Sequence, residues 1–350
     1  MNLQKNYILL FIAFIIFIGL SAFLSIPIFS KADLGVGNLW DVISLLIVNV
    51  SAYLLFMLVF GFIKKSTLDF FYFKLIWIQE IFIILGFLGF GIGLVLMYAG
   101  MHEPPPPGVD PTAQLVSSLA IALITIIYGF CGATGFYLIQ KYYEFKCYKD
   151  EAIKIVAPQG GFQFQALIYF TIFVSILIFA IYIGSLGAGV ELINIFTFEA
   201  LIFVICINII FIFLYDGNYL NLYKNIFCYN SESVSAIRYN LKFIRNMKKI
   251  LSMVISLILI ITPLVVLVAL GLPNNIDVIL LVIQNILIYY VIITLSILIT
   301  NIIEAKEVGK LYLLIGEISF GNRFFVITYI LPPAILLYII LMLTIYWTTL

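Results

Sequence analysis

The chain alternates long apolar stretches with short polar segments, and this alternation predicts its secondary structure. Nine stretches are each long enough to cross a hydrocarbon core of about 30 Å as a helix that rises about 1.5 Å per residue. They are residues 7–29, 41–63, 75–100, 114–139, 164–184, 196–215, 250–270, 277–300 and 325–347. The pattern therefore predicts an all-α fold, a polytopic α-helical membrane protein with about nine transmembrane helices.

The composition supports this prediction. Among the 350 residues, 64% are hydrophobic and 10% are charged, and the mean hydropathy is +1.21. Soluble domains carry about 25% charged residues, so most of this surface is predicted to face lipid or protein. Only Lys5 precedes the first stretch as a basic residue, and no small-residue cleavage site follows a short core. We therefore interpret residues 7–29 as a transmembrane helix and not as a signal peptide.

The basic residues gather in alternate loops, and their distribution predicts an orientation. The N-terminal segment and the loops after the second, fourth, sixth and eighth stretches hold 17 of the 18 lysines and arginines, and only Lys31 falls on the other side. Basic loops of membrane proteins face the cytoplasm. The sequence therefore predicts a multi-pass protein of the cell membrane, with its N-terminus in the cytoplasm and its C-terminus outside.

The order of stretches and loops predicts four regions. A first four-span unit covers residues 1–143, and a cytoplasmic linker covers 144–163. A second four-span unit, 164–303, contains a basic cytoplasmic loop at 216–249, and a cytoplasmic segment with the ninth span covers 304–350. The two units share one order of loops. This order is compatible with two parallel four-helix repeats plus one extra helix, or with a chance similarity of apolar sequences.

Small residues recur at helical spacing in the third and fourth stretches. Such residues on one face let two helices approach closely in lipid, where hydrophobic drive between helices is lacking. The pattern predicts a tight antiparallel pair, or a contact of one of these helices with another subunit, and ordinary helix packing is the alternative. The residues of this predicted seam are Gly86, Gly89, Gly93, Ser118, Ala122, Thr125, Gly129 and Gly132.

Ionisable residues inside spans are often functional in membrane proteins, and two positions qualify. Glu80 lies near the predicted cytoplasmic end of the third stretch, and Glu199 lies near the predicted outer end of the sixth. Both are candidate intramembrane polar sites. The alternative is that each carboxylate lies at headgroup depth, where its charge costs little.

Residues typical of catalytic and metal sites are scarce. The chain has one histidine, His102, and four cysteines without a CxxC pair, which leaves no ligand set for a metal and no His-based triad. A phosphate-binding glycine loop with Lys and Ser or Thr is missing as well. We therefore predict no catalytic residues, cofactor, cofactor-binding residues or metal, and we expect a protein that is not an enzyme. The net charge of +1 gives no indication of nucleic-acid binding.

A family resemblance lies in the third and fourth stretches. The segment from Gly86 to Leu94 is glycine-rich, and residues 119–129 read Leu-Ala-Ile-Ala-Leu-Ile-Thr-Ile-Ile-Tyr-Gly. These segments resemble the MotA/TolQ/ExbB proton-channel family, whose fourth span reads roughly Ala-Leu-x-Thr-Thr-Phe-Tyr-Gly. The resemblance implies a ring around single-span partner helices that carry a protonatable aspartate. The chain departs from the family at Phe90 and Ile126, where the family has two threonines of its polar lining.

Three functional interpretations follow. A channel or transport subunit, similar to a motor stator, would work with a single-span membrane partner or as a homo-oligomer. A non-conducting membrane scaffold or assembly factor would dock a partner or anionic lipid through the basic loop 216–249. A secondary transporter of unknown substrate is the third, and Pro263 is its one indication of a broken helix. Because Phe90 and Ile126 are apolar, we expect the protein alone to conduct no protons. The lipid bilayer is a partner in all three.

Overall fold

The computed structural model describes a helical core of the chain. The described residues are 41–61, 63, 67–100, 111–146, 161–188, 202–206, 209, 226–229, 233–270, 276–316 and 318. The predicted spans 7–29 and 325–347 lie outside these residues, as does most of the predicted span 196–215.

The described elements are helical, apart from one short strand pair. They are α1 (Val42–Leu45), a π-helical segment (Leu46–Val50), α2 (Ser51–Phe60), α3 (Leu68–Gly100), α4 (Pro111–Lys146), β1 (Gly161–Phe162), α5 (Phe164–Ala188), β2 (Cys228–Tyr229), α6 (Val234–Leu270) and α7 (Ile276–Ile315). The two strands pair antiparallel. At the start of α1, the Asp41 carboxylate accepts hydrogen bonds from the backbone N–H groups of Ile43 and Ser44. Such a cap satisfies amides that the first turn leaves without helical partners.

Five helices in the described part are long and apolar enough to cross a membrane. The described part thus has the predicted all-α character, and its apolar helices indicate a protein embedded in a membrane. The five segments are Val42–Phe60, Asp69–Tyr98, Ala122–Gln140, Phe164–Ser185 and Ile283–Ile315. The count of nine spans and the duplication of four-span units stay predictions.

Several helices extend further than their apolar stretches indicate. Helix α3 begins at Leu68, α6 begins at Val234 inside the predicted basic loop, and α7 continues to Ile315. The extensions form because apolar residues continue at helical spacing beyond the purely apolar segments. In α6, for example, Ile237 and Leu241 are both buried. The polar end of the bundle is therefore a packed helical structure.

Helix α3 lies between α4 and α7. Its antiparallel alignment with α7 is defined by two contacts at different heights: the Trp77 indole N–H donates to the Asn301 carbonyl over 3.2 Å, and the Thr67 backbone N–H donates to the Tyr312 hydroxyl over 2.7 Å. The Phe70 ring stacks on Tyr312 with ring centroids 4.1 Å apart. Helix α6 packs along α7, so that α3 and α6 share α7 as a neighbour.

Candidate functional site

Helices α3 and α4 approach each other closely in the described part. A Cβ atom placed on Gly129 would lie 2.7 Å from the Phe82 carbonyl oxygen and 3.0 Å from the Gly86 Cα. A Cβ on Gly86 would in turn lie 3.2 Å from the Gly129 Cα. At such separations any side chain larger than hydrogen forces the helices apart. The two backbones are therefore in direct contact at the Gly86–Gly129 crossing.

Other members of the predicted seam line the same interface. A Cβ on Gly93 would lie 2.7 Å from the Ala122 Cβ, and one on Gly89 would lie 3.0 Å from the Thr125 Cβ. Gly132 accommodates the Phe82 ring, because a Cβ there would lie 2.2 Å from a ring carbon. The side chain of Ser118 lies outside the described part.

A hydrogen bond joins the two helices at the glycine crossing. The Thr125 hydroxyl is directed at the Gly86 carbonyl oxygen over 3.1 Å and at the Ala122 carbonyl oxygen of its own helix over 2.7 Å. A hydroxyl that bonds a neighbouring helix adds stability in lipid, where the backbone has no water to bond. Phe90, one of the two positions that depart from the proton-channel family, is buried. The Gly86–Gly129 crossing is thus closed, and the Thr125 hydroxyl beside it is already hydrogen-bonded.

The charged side chains gather at one end of the bundle, between α6 and α7. The carboxylate of Glu304 on α7 accepts a hydrogen bond from Arg245 Nε over 2.9 Å and a second from the ammonium of Lys248, both on α6. The Lys248 and Glu304 side chains are 8% and 11% exposed. One carboxylate thus links two cations of the neighbouring helix in a largely buried environment.

A second buried pair lies one turn further along α7. The Glu307 carboxylate accepts from the Lys310 ammonium over 2.7 Å, with side chains 0% and 2% exposed. It also accepts from the Asn240 side-chain amide on α6 over 3.3 Å. We refer to Asn240, Arg245, Lys248, Glu304, Glu307 and Lys310 together as the charged cluster.

Two further buried lysines lie around this cluster. The Lys306 ammonium donates to Gln163 Oε1 over 3.1 Å and also to the Ile226 carbonyl, so it ties α7 to the segments that flank the strand pair. Lys74 on α3 donates to the Ile63 carbonyl over 3.4 Å. Its ammonium also lies 5.3 Å from the centroid of the Phe70 ring, within the range of a cation–π contact.

Glu80, the predicted intramembrane acid of α3, lies beside the charged cluster. It is half-buried and interacts electrostatically with Lys248 and Glu304. The structure thus brings Glu80 together with charged residues that are distant in sequence. The other predicted acid, Glu199, lies outside the described residues.

The exposed face of α6 carries a groove next to the cluster. Its volume is about 370 Å³. We call it the basic groove, and it is lined by Arg238, Leu241, Lys242, Arg245, Asn246, Lys249 and Leu311. Arg245 belongs to both features, because it bonds Glu304 from the groove wall.

Sequence reasoning did not identify the charged cluster, although a signal for part of it exists. Along α6, buried residues recur at 237, 241, 244, 248, 251 and 255, in alternate steps of four and three. Lys248 occupies one of these otherwise apolar positions. A lysine on a buried stripe requires an acidic partner, so the position could have been singled out. No comparable signal identifies Glu304 as that partner.

The carboxylates of the charged cluster already have hydrogen-bond donors. Each carboxylate of the charged cluster accepts from at least two donors, and no group of three or more potential metal ligands occurs among the described residues.

A scan against protein-family models gives no match for this chain, and searches of curated proteins and of solved structures give none either.

Proposed function

We propose that this protein is a non-conducting membrane scaffold, whose ion-paired end docks partners at the cytoplasmic surface of the membrane. One observation carries the proposal: the carboxylates of Glu304 and Glu307 are both hydrogen-bonded by neighbouring side chains of α6 and α7, and so are not free to bind a passing ion. The strongest case is Glu304, whose two oxygens are taken by Arg245 and Lys248. Ion pathways require polar groups that face water or a passing ion.

The helix contacts support the same conclusion. At the Gly86–Gly129 crossing the backbones of α3 and α4 touch, so there is no space there for water. Gly91, on another face of α3, lies under the Tyr290 ring of α7, and a Cβ there would lie 2.9 Å from a ring carbon. A scaffold benefits from such close packing because it holds the docking surface in one geometry.

The cytoplasmic placement follows from charge. The cluster and the basic groove include residues of the loops that hold nearly all the lysines and arginines of the chain. Basic segments next to spans remain on the cytoplasmic side. In this orientation α6 would rise from the inner leaflet with its basic face towards the cytoplasm.

A channel or transport subunit is the second candidate, and Glu80 is the observation that favours it. This acid lies in the glycine-rich hairpin that resembles the MotA/TolQ/ExbB family, and it interacts with Lys248 and Glu304. In that case the chain would form its pathway with a single-span partner helix or with further copies of itself. A stator-like mechanism needs hydroxyls where this chain has Phe90 and Ile126, so we rank it second.

Proton flux separates the two candidates. The purified protein is reconstituted into liposomes, and a pH gradient is imposed with a dye that reports internal pH, alongside protein-free liposomes and liposomes that contain a protonophore. We expect flux equal to that of protein-free liposomes, for the native protein and for Glu80→Gln alike. Flux that the native protein supports and Glu80→Gln abolishes would overturn the scaffold proposal in favour of transport.

A further inference from the structure

Four cations share one face of the first half of α6. Arg238, Lys242, Arg245 and Lys249 follow one another in steps of four, three and four, a spacing that aligns side chains along a helix. All four line the basic groove, whose other lining residues are Leu241, Asn246 and Leu311. Because Leu241 and Leu311 are buried, the groove presents mainly this charged row, which is suited to an anionic ligand.

The position of the groove along α6 points to the membrane surface. Lys249 directly precedes the apolar stretch 250–270. Arg238 lies eleven residues before Lys249, which is about 16 Å along a helix at about 1.5 Å per residue. The polar headgroup layer on each side of a bilayer is about 5–8 Å thick. The lower part of the groove would therefore lie at headgroup depth when the following stretch spans the membrane.

The groove walls are fixed by the charged cluster. Arg245 bonds Glu304 over 2.9 Å, and the buried Lys248–Glu304 pair holds the adjacent face of α6 against α7. Lys242 and Lys249 are exposed, so both can turn towards a ligand. No acidic residue is among those that line the groove.

We propose that the basic groove binds the phosphate of an anionic phospholipid headgroup. The proposal relies on the proposed function only for the placement of this end at the inner leaflet. That leaflet is rich in anionic lipids, and each basic residue near its surface contributes about 1 kcal/mol of attraction. The bound lipid would anchor the docking end of the scaffold.

The test measures lipid affinity directly. The purified full-length protein in neutral detergent micelles is titrated with acyl-chain-labelled phosphatidylglycerol, and fluorescence anisotropy gives the dissociation constant. Unlabelled phosphatidylglycerol should displace the probe at least tenfold better than phosphatidylcholine does. The Lys242→Gln/Lys249→Gln variant should bind about 30-fold more weakly, which corresponds to about 2 kcal/mol. Circular dichroism and thermal unfolding establish that the variant is folded, and Arg238→Gln is the substitute should it fail to fold.

A matched control removes two charges elsewhere at the same end. Lys141 and Lys146 lie in the last turns of α4, close to Gln140, whose side chain bonds Gln79 of α3 over 2.9 Å. The Lys141→Gln/Lys146→Gln variant should change affinity less than threefold. An equal loss in both double variants would mean diffuse attraction and would overturn the site.

Two competitors test the assigned class of ligand. Displacement by inorganic phosphate at the same concentration as the lipid, or stronger displacement by polyglutamate, would overturn the lipid assignment. The outcome is independent of conduction: flux through liposomes would refute the scaffold while leaving lipid binding intact, and absence of lipid selectivity would refute the groove while flux stays absent.

Discussion

Removing either partner of the Lys248–Glu304 pair should lower the free energy of unfolding, by an amount that depends on which partner is removed. Glu304→Leu leaves Lys248 buried on α6 without its carboxylate, and Arg245 loses the same acceptor. Removal of one partner of a buried ion pair costs about 3–5 kcal/mol. Lys248→Met leaves Glu304 paired with Arg245, so it loses one charge-assisted hydrogen bond, about 1.5–3 kcal/mol. The structure therefore predicts that Glu304→Leu is the more damaging change.

The double variant completes the test. In Lys248→Met/Glu304→Leu both charges of the pair are gone, and similar apolar replacements of buried ion pairs are often neutral or stabilising. Arg245, whose side chain is 28% exposed, can turn towards solvent. We expect the free energy of unfolding of the double variant to exceed that of Glu304→Leu by at least about 2 kcal/mol. This is roughly the cost of a buried charge without its carboxylate relative to an apolar contact.

The assay is equilibrium unfolding of the purified protein in mixed micelles with increasing SDS, followed by tryptophan fluorescence. Wild type, both single variants and the double variant give a thermodynamic cycle, from which the coupling energy of the pair is obtained. Equal destabilisation by Lys248→Met and Glu304→Leu would refute the assignment of Arg245 as a second partner. A double variant no more stable than Glu304→Leu would refute the claim that the buried Lys248 ammonium destabilises the protein once the Glu304 carboxylate is removed.

Three further substitutions test the packing. Gly129→Leu places a side chain 2.7 Å from the Phe82 carbonyl, and overpacking costs about 1–3 kcal/mol; its melting temperature should fall well below that of Thr134→Leu, an exposed position on the same helix. Thr125→Val removes the bond to the Gly86 carbonyl and should cost about 0.6–1.7 kcal/mol in SDS unfolding, while Thr125→Ser should cost less; equal losses would mean that packing and not the hydroxyl matters. Lys74→Met replaces a buried ammonium whose hydrogen-bond partner among the described residues is the Ile63 carbonyl. The melting temperature of this variant should equal or exceed that of wild type. A large decrease would show that Lys74 makes a stronger interaction than this hydrogen bond.

The helices of the described part could be predicted because a helix that crosses the hydrocarbon core needs an apolar run of about 20 residues, and such runs are visible in the sequence. The stretch 164–184 corresponds to Phe164–Ser185, and the stretch 41–63 to Val42–Phe60. The glycine pattern likewise identified residues such as Gly86 and Gly129 that the structure brings into contact. Close backbone approach leaves a local signature, because only small residues permit it.

The charged cluster could not be assembled from sequence. Glu80 stands out as an acid in an apolar stretch, but its neighbours Lys248 and Glu304 belong to helices far along the chain. Charged residues also lower the mean hydropathy of a segment. The first half of α6 was therefore interpreted as part of a basic loop, although Ile237 and Leu241 recur at helical spacing there. Which helix faces which depends on tertiary packing, and periodicity in one segment does not contain that information.

The placement of the helices in a membrane, with the basic end in the cytoplasm, is tested most directly by thiol accessibility. The four native cysteines are replaced, and single cysteines are introduced at Glu103, in a predicted outer loop, and at Lys242, in the basic groove. Intact cells are treated with a membrane-impermeant maleimide before and after permeabilisation. The account predicts labelling at position 103 in intact cells and labelling at position 242 only after permeabilisation. Labelling at position 242 in intact cells, with position 103 protected, would contradict it.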